Sequence, residues 1–410
     1  MEITRRNLLA GLGAMALTGC GGTGGPALAP RPAPGMQPVA NAAFDAWLAG
    51  FRARAGGAGL GEAVLARGLR EAGYLPGVIE RDRNQTEFTR TLEDYLAIAA
   101  SDDRIATGRQ MLRRHAGLLA EIEARYGVPP EVVTAIWGLE SRYGDRRGDI
   151  PVVSATATLA FDGRRGAFFE RQLLAALRIL ERGDTTPGRL VGSWAGAMGH
   201  TQFIPTTYQV YAVDFRGDGR RDIWSEDPTD ALASAAAYLD RMGWRRGRPW
   251  GLEVRAPAGL AGARGATRAV ADWRAAGVTA AEDGALPDHG PAALIRPEGP
   301  AGPAFLAFRN FEVLARYNNA VNYVIGVGHL ADRLAGAGPL RAGFPPDAFG
   351  LTIDDRKALQ RELTAAGFDA GAPDGVIGSR TRAAIEGYQR AQGLTVTGEP
   401  SRALLARLRG

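Results

Sequence analysis

The chain has 410 residues, 45% hydrophobic and 23% charged, a balance ordinary for folded protein and a length that requires more than one core. Its 49 basic and 44 acidic side chains leave a net charge of +5, and the arginines are interspersed with carboxylates rather than gathered in a stripe, so nucleic acid is not an expected partner. One cysteine and four histidines exclude an intrachain disulfide and an ordinary Cys/His zinc site.

The chain opens with Arg5 and Arg6 ahead of the apolar stretch LLAGLGAMAL, which is the shape of a signal peptide over residues 1–19. Leu17-Thr18-Gly19-Cys20 resembles a lipobox, in which small residues precede a cysteine that takes lipid and becomes the mature N-terminus. Thr4-Arg5-Arg6-Asn7-Leu8-Leu9 is similar to a twin-arginine export signal. Residues 20–38, rich in Gly, Ala and Pro, read as a lipidated flexible tether. The expected location is the periplasm, with a membrane anchor at Cys20. Gly21 is not the aspartate associated with inner-membrane retention, so the outer membrane is the expected attachment. Beyond residue 20 no apolar run is long enough to span a bilayer.

Helical spacing of apolar residues begins near Asn41 and continues through TEFTRTLEDYLAIA and TGRQMLRRHAGLLAEIEARYG. In the next segment prolines 129 and 130 mark a helix start and Gly144 its stop. There Val133, Ile136, Trp137 and Glu140 share one face, so a carboxylate stands among apolar side chains. Beside Trp137 its protonated form would be favoured, as a general acid requires; pairing of Glu140 with Arg142 fits the same spacing. Farther on, Asp214 to Asp222 superficially resembles a calcium loop, with Asp230 as a substitute for the closing glutamate. Arg216 and Arg220 occupy ligand positions, which favours a structural turn. Between Gly251 and Phe311 the short runs AALIRP and AFLAFRNF read as strands of a small β-containing insert. A helix from Glu312 to Leu334 is predicted next, then a Gly/Pro linker from Ala335 to Pro346, and helices over Asp355–Ala365 and Ser379–Gln392.

Three long stretches, Val128–Gly144, Gly192–Tyr208 and Tyr317–Tyr323, resemble in order the lytic murein transglycosylase B family. The resemblance implies a mainly α fold: a lysozyme-like α+β catalytic domain over residues 39–338 with a small β-containing insert. It also implies that Glu140 is the single catalytic acid/base. Ser193, Gln202 and Phe203 in the second stretch, and Tyr317, Asn318 and Tyr323 in the third, match the family's sugar-contacting residues; Tyr95 stands where the family has another groove tyrosine. Amide and hydroxyl groups suit N-acetyl and hydroxyl substituents, and aromatic faces suit sugar rings, although Phe203, Tyr208 and Tyr317 are equally suited to core packing. His200-Thr201, ahead of Gln202, is a departure from the family's stretch at positions where its members vary; His200 is titratable and receives no catalytic role.

Residues 350–410 resemble the peptidoglycan-binding-like domain found on cell-wall enzymes, a small three-helix domain, with Asp374, Gly375, Gly378, Thr381 and Tyr388 matching as turn, cap and core positions. As a tethered second contact, this module is expected to add residence on the wall rather than chemistry. The activity implied is cleavage of the MurNAc-β-1,4-GlcNAc bond of peptidoglycan glycan strands, giving 1,6-anhydromuramoyl products, by an enzyme expected to be monomeric and to need neither a metal nor an organic cofactor. Rival readings are a hydrolytic muramidase, for which Asp149 or Asp162 would be the second carboxylate, and a non-catalytic peptidoglycan-binding lipoprotein.

Overall fold

The computed structural model describes residues 35–84, 90–282 and 284–410. The segments expected as signal peptide and tether lie outside the described residues up to residue 34, Cys20 with them. Two compact units form. The first takes the described residues up to 84 together with 106–246, and the second takes 90–105 and 247–410.

The first unit is helical. Asn41 caps helix Ala42–Gly57 by accepting the Phe44 N–H at 3.1 Å, and the helix buries Phe44, Phe51 and Ala55 on one face. The long run expected from Thr107 is broken at His115, which separates helix Asp102–Arg114 from helix Ala116–Tyr126. Helices Val152–Asp162 and Gly166–Arg182 pack extensively on each other. Their core joins Leu75, Val78, Ala155, Leu159, Phe169 and Trp194. Helix Pro130–Ser141 packs between Ala116–Tyr126 and Thr229–Arg241. It is buried all round from Val132 to Ser141, as an apolar helix without a polar face must be. A two-stranded antiparallel ladder joins β1 (Ile150–Pro151) to β2 (Val191–Gly192).

The second unit holds the β insert. Strands β3 (Gly251–Arg255), β4 (Thr267–Arg268), β5 (Thr279–Ala280), β6 (Ala292–Ile295) and β7 (Ala304–Ala307) form an antiparallel sheet in the order β4-β6-β7-β3-β5. The two strands expected from AALIRP and AFLAFRNF are its neighbouring inner strands β6 and β7, with Leu294 opposite Leu306. The core beneath includes Val254, Val270, Trp273 and Leu286. Where a single helix from Glu312 to Leu334 was predicted, there are two, Arg309–Tyr317 and Val321–Leu334. Asn318 is extended, with φ −148° and ψ 123°, and ends the first.

Helices Ile353–Ala365, Ser379–Ala391 and Arg402–Arg409 make the C-terminal module around Leu359, Leu363, Ile385, Tyr388 and Leu404. Thr352 and Asp355 form a reciprocal capping box. Gly375, at φ +83°, turns the chain and donates its N–H to Gln360 Oε1 at 2.7 Å, while Thr381 and Tyr388 are buried. This module shares its compact unit with the sheet and with helix Leu92–Ala99, so the units do not divide at the stretch 335–346. Among the described residues no helix is long and apolar enough to cross a membrane.

Candidate active site

Glu140 stands at the end of helix Pro130–Ser141 and is 6% exposed. The helix stops earlier than Gly144: Arg142 takes the left-handed cap at φ 51° and donates its N–H to Gly138 O at 3.1 Å. Tyr143 follows at φ 60°, and its ring lies across the helix at Gly138, where an added Cβ would come within 2.6 Å of Tyr143 Cζ. Among the described residues the non-glycine positions with positive φ are Arg142, Tyr143 and Gln202. Such backbone costs on the order of 1 kcal/mol or more per residue, and it concentrates where geometry serves function. All three flank the predicted site.

Two hydrogen bonds from adjoining turns of that helix end on one residue. Trp137 Nε1 donates to His200 Nδ1 at 3.1 Å, and Ser141 Oγ donates to His200 O at 2.6 Å. With Nδ1 an acceptor, the ring hydrogen is on Nε2, which donates to Ser225 O at 2.7 Å. Arg147 donates to the same carbonyl at 2.9 Å and pairs with Glu226. Burial, with a further push from Arg147, holds the His200 pKa below the usual histidine range, so the ring is neutral near pH 7. His200 is thus an anchor for the Glu140 helix, a role invisible in the sequence.

The second stretch folds as a tight loop after β2. Ser193 donates its N–H to Ala197 O at 2.7 Å and its Oγ accepts the Ala197 N–H at 3.1 Å, which leaves the hydroxyl hydrogen to donate. Gly192 is obligatory there, because a Cβ would meet Ala197 O at 2.2 Å. The Gln202 amide donates to Arg147 O at 3.0 Å and Gly199 O at 2.8 Å. Both its hydrogens are taken, so Oε1 is fixed as an acceptor. Phe203, by contrast, is 0% exposed and pairs through its backbone with Met198. Stacking of a sugar on the Phe203 ring, expected from the resemblance, is not open to this conformation, because the ring fills the core.

Tyr95, Tyr317, Asn318 and Tyr323 belong to the second unit. Tyr95, half-buried on helix Leu92–Ala99, lies against Gly326, where a Cβ would approach Tyr95 Cε1 to 2.5 Å. Asn318 accepts the Ala320 N–H through Oδ1 at 3.1 Å, which leaves Nδ2 to donate. Tyr323 begins the neighbouring helix and is 5% exposed. Tyr317 is 0% exposed, so its ring too is core and presents no face for stacking.

Of the rival carboxylates, Asp162 is paired with Arg83 at 2.6 Å and Asp149 is exposed. The acidic loop uses its carboxylates on backbone amides. Asp214 accepts from Gly217, Asp218 and Gly219, and Asp230 accepts from Phe215 and Asp222. Arg216 turns to Glu121. Among the described residues no three His, Cys, Asp or Glu side chains are grouped to hold a metal ion.

Residues 43–332 match the family described as Transglycosylase SLT domain, and residues 352–408 match that described as a peptidoglycan binding domain. The membrane-bound lytic murein transglycosylase B of Escherichia coli K12 is 36% identical over 213 residues, 51% of this chain and 58% of that one. The match therefore spans little more than half of that relative. SltB3 of Pseudomonas aeruginosa, solved with NAG-anhNAM-pentapeptide and with NAG-NAM-pentapeptide, is 44% and 45% identical. Each superposes with a TM-score of 0.73 over 90% of this chain and 100% of SltB3. The Escherichia coli lytic transglycosylase Slt35, solved with calcium, is 29% identical, with a TM-score of 0.60 over 72% of this chain and 93% of that one. The family match alone covers well over half of the sequence, and the chain belongs to the transglycosylase SLT domain family.

Proposed function

We propose that the protein is a lytic transglycosylase of peptidoglycan, cutting the MurNAc-β-1,4-GlcNAc bond with Glu140 as its single acid/base. The observation that carries the reading is Glu140, 6% exposed at the end of a helix buried from Val132 to Ser141, in a chain of this family. A carboxyl taken out of water favours its protonated form, the state needed to donate to the departing glycosidic oxygen. The bond from the muramoyl anomeric carbon to that oxygen breaks, with the substrate's own N-acetyl group assisting at the anomeric carbon. Glu140, now a carboxylate, takes the proton of the muramoyl C6 hydroxyl. The C6 oxygen closes on the anomeric carbon, giving a 1,6-anhydro end, and Glu140 is again protonated. No water enters the products.

Gln202 Oε1 and the Ser193 hydroxyl supply an acceptor and a donor for the substrate's N-acetyl and hydroxyl groups, and Asn318 Nδ2, Tyr95 and Tyr323 are further proposed sugar contacts. SltB3 binds both an intact and an anhydro form of the muropeptide, which supports the same substrate and product here. The peptidoglycan-binding match at residues 352–408 supports the wall as substrate. We further propose a lipid anchor at Cys20 in the periplasm, on the outer membrane. Mass spectrometry of products from purified murein tests the activity. Anhydromuropeptides are expected; reducing muropeptides that have taken up water would mean hydrolysis, and no product would mean a binding protein.

A further inference from the structure

Arg356 lies in the first turns of helix Ile353–Ala365 and is 2% exposed, an arrangement that is costly unless the charge is both paired and hydrogen-bonded. It is both. Nε donates to Gly375 O at 2.7 Å, and Nη1 donates to Asp347 Oδ2 at 2.9 Å and to Leu351 O at 3.5 Å. Nη2 donates to Glu93 Oε2 at 2.7 Å and Asp94 Oδ1 at 2.8 Å. Five N–H groups thus meet five acceptors, two of them on consecutive residues of helix Leu92–Ala99. Tyr95 is the next residue of that helix.

An eight-residue helix is too short to hold its own conformation in water, so its position is set by what it packs on. On one side the Tyr95 ring occupies the gap left by Gly326 in helix Val321–Leu334, the helix that begins with Tyr323 in its first turn. On another, two successive carboxylates converge on one guanidinium. Because successive residues point about 100° apart around a helix, holding both fixes its rotation and therefore the direction of the Tyr95 side chain.

We propose that Arg356 is a positioning residue for Tyr95, and that the C-terminal module is a fixed part of the glycan-binding unit rather than a tethered accessory. The inference rests on the reading of Tyr95 as a sugar contact. It departs from the expectation that the module adds only residence on the wall. Burial pushes the carboxyl pKa values of both Glu93 and Asp94 up, so withdrawing Arg356 leaves two desolvated acids that the helix must move to relieve.

The test measures kcat and KM of the full-length chain on short soluble GlcNAc-MurNAc oligomers for wild type, Tyr95→Ala, Arg356→Met and the double variant, with circular dichroism to confirm folding. Tyr95→Ala is expected to raise KM about tenfold, the worth of one aromatic contact. Arg356→Met should raise KM by a similar factor, with kcat nearly unchanged, and the double variant should be no worse than Tyr95→Ala alone. Should Arg356→Met fail to fold, the isosteric pair Glu93→Gln and Asp94→Asn replaces it, with the same non-additivity expected. Arg356→Lys, which keeps the charge but not the fork, should recover part of the loss. Effects of Arg356 and Tyr95 that multiply, or a folded Arg356 variant with wild-type KM, would overturn the proposal. An unchanged KM in Tyr95→Ala would instead overturn the sugar-contact reading of Tyr95, and the positioning role with it.

Discussion

Trp137 Nε1 donates to His200 Nδ1 at 3.1 Å from the turn immediately before Glu140, a bond between two buried rings that, with the Ser141 Oγ bond to His200 O, ties the Glu140 helix to the loop that carries Gln202. Trp137→Phe keeps most of the packing and removes the donor. Loss of a neutral buried hydrogen bond costs about 1 kcal/mol of stability. The expected result is a small drop in urea midpoint with a larger, roughly tenfold, fall in kcat, the measure of a misplaced acid. An unchanged kcat would show that the bond serves stability alone.

Gly138 is the contact point between the helix and the Tyr143 ring, and any Cβ there would come within 2.6–2.7 Å of two ring carbons and the hydroxyl oxygen of Tyr143. Gly138→Ala raises helix propensity by up to about 1 kcal/mol, yet overpacking costs about 1–3 kcal/mol. The clash is expected to win. Calorimetry should show a lower Tm and product assays a lower kcat, because Tyr143 is displaced beside the helix end.

Burial sets two groups on helix Val321–Leu334 against each other. His329 is held down at about 4, chiefly by burial and further by Arg333; Asp332, which accepts from Trp250 Nε1 at 3.0 Å, is pushed up to about 7 by burial. For His329 the unfolded chain binds the proton first, so stability is complete above about pH 6.5 and falls as pH drops toward 4, by about 3 kcal/mol. For Asp332 the unfolded chain loses the proton first, so stability falls as pH rises from about 3.9 toward 7. The two slopes oppose in the same window. Asp332→Asn should therefore become more stable as pH rises from 4 to 6.5, and His329→Gln less stable; chemical denaturation across that range checks both signs.

Cys20 is expected to anchor the protein, and more than one acyl chain is needed for stable attachment. Cys20→Ala should move the protein from the membrane fraction to the soluble periplasmic fraction. Retention of the variant with membranes through low-salt and high-salt washes would remove lipidation as the anchor.

Much of the fold was legible because its signals are local. The prolines before Glu131, the spacing of Val133, Ile136 and Trp137, and the runs AALI and AFLA each declare an element within a few residues. The single-face reading of the Glu140 helix was too narrow, since neighbours from other helices bury its remaining sides as well. Its stop was misplaced because a left-handed arginine at 142 follows no propensity rule. Asn318 broke a predicted continuous helix, and that break was readable in the Asn318-Asn319 pair. The contacts of His200 and Arg356 were not readable, because Trp137 lies 63 residues from His200, and Glu93 and Asp94 lie more than 260 residues from Arg356.

The central claim is that one buried carboxyl both gives and takes the proton. Glu140→Gln preserves shape and hydrogen bonding but cannot exchange a proton, so the variant should fold, bind sacculi and release anhydromuropeptides at least about a thousandfold more slowly. The measurement is anhydromuropeptide release by mass spectrometry, with circular dichroism on the same samples. A folded Glu140→Gln protein that released product within about tenfold of wild type, a change smaller than a positioned acid/base contributes, would contradict the account.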